Sequence, residues 1–124
     1  MLRTLVVDES HLTLKALSAR LAESPDVSVE GWAASGAEAL LAVERFRPDL
    51  VLLELSLKDM SGFEVVRLLK IRPQAPFVAL VTVHDEAEYE AAAFEAGADA
   101  FLSKWKFAEQ LPQVIEKAKA YRPA

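Results

Sequence analysis

The 124-residue chain has no cysteine, which excludes a disulfide framework and a thiolate zinc site and suits a reducing compartment. Glycine is nearly as scarce: four are present, none spaced as G-x-G-x-x-G, so a glycine-rich phosphate loop is excluded. No apolar run approaches the ~18 residues of a membrane span, and the N-terminal MLRTLVVDES meets acidic residues too early for a signal peptide. A basic surplus is also missing. Against 19 Asp and Glu stand 14 Lys and Arg, a formal charge of -5, whereas a phosphate-backbone binder needs a basic face. The chain therefore reads as cytoplasmic, with no membrane and no nucleic acid as direct partners.

What is present is a core. A hydrophobic fraction of 52% with 27% charged residues describes an ordered globular protein. This length is enough for about one domain, here residues 1–124, burying roughly two-thirds of the unfolded surface. Short apolar runs at Thr4–Val7, Val27–Trp32, Leu50–Leu53, Phe77–Val81 and Ala100–Leu102 alternate with helical stretches. TLVV, LVLL and FVALV lack period-two alternation, as parallel strands covered on both faces do.

Helix starts and stops are legible between these runs. Ser10 is placed to cap a helix with Leu14, Leu17 and Leu21 on one stripe. Ser35 and Glu38 form an S-x-x-E capping box before Ala39, Leu40, Val43 and Phe46, and Arg47-Pro48-Asp49 ends that helix. Gly62 precedes a third helix through Phe63, Val66 and Leu69. The Ala- and Glu-rich stretch Asp85–Ala96 is a strong helix former, closed by Gly97 as a left-handed cap. Phe107, Leu111, Val114, Ile115 and Ala118 line a last amphipathic helix, with Pro112 expected near its first turn. Five strand–helix pairs predict an α/β fold: a flavodoxin-like (βα)5 doubly wound parallel sheet with strand order 2-1-3-4-5.

In such a sheet chemistry gathers beyond the carboxyl ends of the strands. Asp8 and Glu9 follow the first strand, Glu54 ends the third, Thr82 ends the fourth, and Lys104 follows the fifth. Singly, each has a plain structural role: Asp8 as a helix cap, Glu9 as a solvated first-turn acid, Thr82 as a strand end, Lys104 as surface charge. Jointly they suggest a shared site. Converging carboxylates repel, so a cation must offset them, and Lys104 is the built-in candidate.

The motifs VVDES, PDLVLLELSLKDMSG, VTVHD and AGADAFLSKW, in that order and spacing, resemble the receiver domain of the bacterial two-component response-regulator family over nearly the whole chain. The resemblance implies that Asp8, Glu9 and Glu54 hold a magnesium ion (Mg2+), a hard cation served by oxygen ligands. It puts Glu54 at the phosphoacceptor position, which the family fills with aspartate. Thr82 would bond an incoming phosphoryl oxygen, Lys104 would neutralise another, and Phe101 would be the aromatic switch. Catalysis of its own is not implied.

Four departures bear on phosphoryl transfer. Glu54 projects its carboxylate on the order of 1 Å further than aspartate, and misplacement of that size can cost ~10²-fold in rate; it could instead pair with Lys104 or Thr82 and imitate the phosphorylated state. Val83 replaces a small residue and narrows the approach. Lys58 replaces a proline and could share in the charge balance. Trp105 replaces the proline after the lysine, and a cis bond there would cost ~3 kcal/mol.

The leading expectation is an atypical receiver that signals through protein contacts without phosphorylation. One alternative is a phosphorylatable receiver using Glu54 or Asp59; another is a small flavodoxin-like protein binding metal or cofactor. Expected partners are a sensor kinase, a downstream output protein or a second copy of the chain, met through a face bearing Tyr89, Phe101 and Trp105. Phe94 is expected in the core, Trp32 as a packing residue, and His11 and His84 at the surface.

Overall fold

The computed structural model describes residues 1–123. Its strands are β1 (Leu2–Val7), β2 (Val27–Ala33), β3 (Leu50–Glu54), β4 (Phe77–Thr82) and β5 (Ala100–Ser103), and its helices are α1 (His11–Leu21), α2 (Gly36–Phe46), α3 (Gly62–Lys70), α4 (Ala87–Ala96) and α5 (Phe107–Ala120). All four strand pairings are parallel, in the order β2-β1-β3-β4-β5, as predicted.

The continuous apolar runs are explained by two cores, one on each face of the sheet. Val6, Leu50, Leu52, Val81 and Leu102 pack with Leu14, Leu17 and Leu21 of α1 and Leu111 and Ile115 of α5. Their neighbours Leu5, Val7, Val51, Leu53 and Leu80 pack on the other side, with Val43 of α2, Val65 and Leu69 of α3 and Ala93 of α4. A side chain alternates faces at every residue, so a strand covered twice is apolar along most of its length, its few buried polar residues being Thr4, Glu54 and Thr82 in β1, β3 and β4. Truncating Leu52, fully buried between β1 and β4, is expected to cost ~2–5 kcal/mol.

Serines start three helices. Ser10 Oγ accepts the Thr13 N–H at 3.3 Å, Ser35 Oγ the Glu38 N–H at 3.1 Å and Ser61 Oγ the Phe63 N–H at 3.1 Å. The capping box is altered: Glu38 Oε1 accepts from Ala34 N, one residue before the cap, at 3.3 Å. Gly62 is the first residue of α3 rather than its preceding one. A Cβ at Gly62 would lie 2.7 Å from Leu55 Cα, so the loop after β3 closes tightly only with glycine there. Gly97 takes φ 111° at the end of α4. Arg47 ends α2 in the left-handed region at φ 48°, and the Arg3 guanidinium donates to the freed Phe46 and Arg47 carbonyls at 2.5 and 3.0 Å.

Three packing expectations fail. Pro112 is the sixth residue of α5, in its second turn; being exposed, it gives up one helical bond at the solvent face. Phe94 is 49% exposed, because the Ala-rich α4 turns Ala93 and Ala96 inward and leaves its neighbour outside. Trp32 lies within the edge strand β2 and is largely exposed, its Nε1–H donating to Ser18 Oγ at 2.7 Å.

Candidate functional site

The strand order reverses between β1 and β3, and the site lies at their carboxyl ends. β1 delivers Asp8, β3 Glu54, β4 Thr82, and the residue after β5 is Lys104. Register holds them level: Glu54 pairs with Val81 and Thr82 with Ser103, and the Lys104 N–H continues the ladder to the Thr82 carbonyl at 2.9 Å.

One ammonium serves two acids. Lys104 Nζ lies 2.8 Å from Asp8 Oδ2 and is also bound to Glu54 Oε1. The remaining carboxylate oxygens are held by backbone: Asp8 Oδ1 accepts the Ser10 N–H at 2.9 Å and Glu54 Oε2 the Ser56 N–H at 2.8 Å. Asp8 and Glu54 are buried. Burial pulls the Lys104 ammonium down, but hydrogen bonds to Asp8 and Glu54, together with their charges, outweigh it and hold its pKa above the ordinary lysine value. Two negative charges against one positive leave the cluster at -1.

Of the residues the sequence singled out, Asp8, Glu54 and Lys104 meet in this cluster. Thr82 is fully buried beside it, but its Oγ1 accepts the His84 N–H at 3.1 Å and it is not Glu54's partner. Glu9 is exposed and does not join the other two acids. Among the described residues no three Asp, Glu, His or Cys are gathered closely enough to hold a metal. As placed, Asp8 and Glu54 are bridged by the Lys104 ammonium, and Glu9 is not gathered with them.

Lys58 is exposed and, among the described residues, enters no ion pair with these acids, so it does not share their charge. No cis peptide occurs among the described residues, Lys104–Trp105 included. Phe101 is half-buried against the core of the α2–α4 side. Tyr89 stacks on the exposed His84, ring centroids 5.3 Å apart. Trp105 is 75% exposed, with Nε1–H donating to the Val83 carbonyl at 3.2 Å.

Asp59 has a role that the sequence hid. Its Oδ1 and Oδ2 accept the Gly36 and Ala37 N–H groups, both at 2.9 Å, so it closes the start of α2 from a loop more than 20 residues away. Those backbone donors hold its carboxyl below the ordinary aspartate value. Ser35 as cap was readable from a local motif; Asp59 obeys no spacing rule.

Comparison with known proteins agrees with this arrangement. The family described as Response regulator receiver domain matches residues 4–116. A sensory transduction protein LytT of Enterococcus faecalis is 33% identical over 117 residues, 94% of this chain and 48% of that protein. A protein-glutamate methylesterase/protein-glutamine glutaminase of Methanospirillum hungatei is 35% identical over 106 residues, 84% of this chain and 30% of that protein. The chain thus spans less than half the length of either relative. Among solved structures, the signal receiver domain of NarL from Mycobacterium tuberculosis superimposes with TM-score 0.88 at 29% identity, covering 97% of this chain and 98% of that one. The response regulator domain of Thermotoga maritima CheB gives TM-score 0.88 at 25% identity, covering 99% of both. No helix among the described residues is long and apolar enough to cross a membrane. A five-stranded parallel sheet in this order, with an acid, an acid and a lysine brought together at the ends of its first, third and fifth strands, and a family match over most of its length, makes this chain a response regulator receiver domain of the two-component signalling family.

Proposed function

We propose that this receiver works without accepting a phosphoryl group, its acceptor position held by a glutamate already paired with the lysine that would otherwise meet the phosphoryl oxygens. One observation carries this reading: Lys104 Nζ is bound to Glu54 Oε1 and Asp8 Oδ2 together, while Glu54 Oε2 is held by the Ser56 N–H. Each Glu54 oxygen keeps a second lone pair beside its one contact, but in-line attack on phosphorus needs a carboxylate free to turn into alignment, and Lys104 and the Ser56 N–H hold Glu54 from both oxygens. The domain would then act as a non-enzymatic, cytoplasmic signalling module that offers Tyr89, Phe101 and Trp105 to a sensor kinase, to a downstream output protein or to a second copy of itself. Magnesium would have to compete with Lys104 for Asp8 and Glu54. Asp59 is a poor alternative acceptor because both its oxygens hold the start of α2.

The test is an intact-mass measurement after incubation with magnesium and a small phosphodonor such as acetyl phosphate. The expected result is no adduct on the wild type and partial labelling of Glu54→Asp, where the shorter side chain releases Lys104 and restores the family's nucleophile. A base-labile adduct at Glu54 in near-stoichiometric yield would favour the phosphorylatable alternative and end this reading.

A further inference from the structure

Two of the departures noted in the sequence, Val83 and Trp105, are bonded to one another. The Trp105 indole reaches from the turn after β5 to the turn after β4, and its Nε1–H meets the Val83 carbonyl at 3.2 Å. With 75% of the residue exposed, hydrophobic burial accounts for little of its placement. The turn it reaches is short, running from Val83 to Glu86 before α4 begins. That turn has two further fastenings: the His84 N–H on Thr82 Oγ1 at 3.1 Å and the stacking of His84 on Tyr89. Trp105 is itself fixed by its own N–H on Ser103 Oγ at 3.1 Å.

The residue before it faces the other way. Lys104 binds Asp8 and Glu54 inside, so consecutive side chains tie one corner to the buried acids and to the surface turn. We propose that Trp105 is a strap that holds the 83–86 turn to the corner after β5 and passes the state of the Lys104 ion pairs to that turn. A single neutral hydrogen bond shifts a two-state equilibrium by only about tenfold, so such a strap opens readily when the corner beneath it moves. The proposal deepens the function proposed above and rests on it only for what a partner would detect; the fastening itself stands on geometry.

The experiment uses the 15N-labelled chain. It contains two tryptophans, so two indole N–H signals are expected, and Trp32→Phe assigns them. In the first arm, Trp105→Phe keeps a ring and removes the donor. The His84 amide is expected to exchange with solvent about tenfold faster while core amides such as that of Leu52 are unchanged; unchanged exchange at His84 overturns the strap. In the second arm, Glu54→Gln removes one of the two charges on Lys104, and Asp8→Asn does so from the other acid should the first variant fold poorly. The Trp105 indole signal is expected to shift and that of Trp32 to stay. A stationary Trp105 signal overturns the coupling. Phosphoryl labelling at Glu54 would overturn the proposed function and leave both arms readable.

Discussion

Each end of the sheet holds a partly buried lysine, and the two ends treat its charge differently. At the amino-terminal edge Lys70 Nζ donates to Asp99 Oδ2 at 2.7 Å, the Pro76 carbonyl at 3.0 Å and Tyr121 Oη at 2.9 Å. Tyr121 Oη donates onward to the Ala75 carbonyl at 3.0 Å, and its ring packs edge-on against Phe77. Three N–H donors meet three acceptors, and one charge meets one charge. At the carboxyl edge Lys104 faces two acids, which are only 8% exposed or less at the side chain, against 21% for Asp99. The more deeply buried cluster is therefore the one left out of balance. Buried like charges cost stability unless neutralised, so an unbalanced set kept at a strand-order reversal has the character of a site. The saturated set at the other end has the character of a brace holding α3, β4, β5 and the end of α5.

Removing each lysine gives the widest separation. Lys104→Met strands two buried carboxylates side by side, and removing one partner of a buried pair costs ~3–5 kcal/mol; urea unfolding should show a loss of that size. Lys70→Met strands a single, more exposed acid, and a loss of about 1–2 kcal/mol is expected. Equal losses would break the comparison.

The acids sharpen it by sign. Asp99→Asn weakens a balanced set that also holds the Val78 N–H at 2.9 Å, and about 1 kcal/mol of stability should be lost. Glu54→Gln brings the carboxyl-edge cluster from -1 to neutral while leaving Lys104 paired with Asp8. Its unfolding midpoint should stay level or rise by up to about 1 kcal/mol equivalent. A clear destabilisation by Glu54→Gln would mean that Glu54 is structural.

The sequence reveals these two ends unequally. Asp8, Glu54 and Lys104 stand directly after apolar runs, so the topology rule that ligands lie beyond strand carboxyl ends brings them together before any coordinates. The parallel sheet followed from the same runs, because the TLVV, LVLL and FVALV stretches of β1, β3 and β4 are buried on both faces and show no period-two alternation; the strand order came with the flavodoxin-like topology that five such strand–helix pairs imply. Lys70 ends α3, while Asp99 lies 29 positions on in a loop and Tyr121 lies 51 positions on, just after α5, and nothing in their spacing announces a network. Asp59 was hidden for the same reason. Phe94 was misplaced because half of α4 is alanine, where a large aromatic looks like the buried face when in fact Ala93 and Ala96 are. Glu9 shows the limit of reading adjacency: it directly follows Asp8, yet only Asp8 is turned into the cluster.

The smallest expected effect is in pH, and it tests the charge imbalance without altering the acids. At both lysines burial lowers the pKa, and hydrogen bonds and charge from the acids, with Tyr121 adding at Lys70, raise it by more. A folded pKa above the unfolded one means that the contribution to stability is complete below the unfolded value of ~10.4 and is lost as pH rises through the folded value. Between neutral pH and about pH 10 neither lysine should give a slope. Above that, the folded state binds more protons than the unfolded, and stability should fall by at most about 1.4 kcal/mol per pH unit for each lysine. Deprotonating Lys104 leaves two acids uncompensated and deprotonating Lys70 leaves one. Urea midpoints followed from pH 9 to pH 11 should therefore flatten more in Lys104→Met than in Lys70→Met. Equal flattening would mean that the second acid beside Lys104 carries no energetic weight, and the distinction between site and brace would then rest on burial alone.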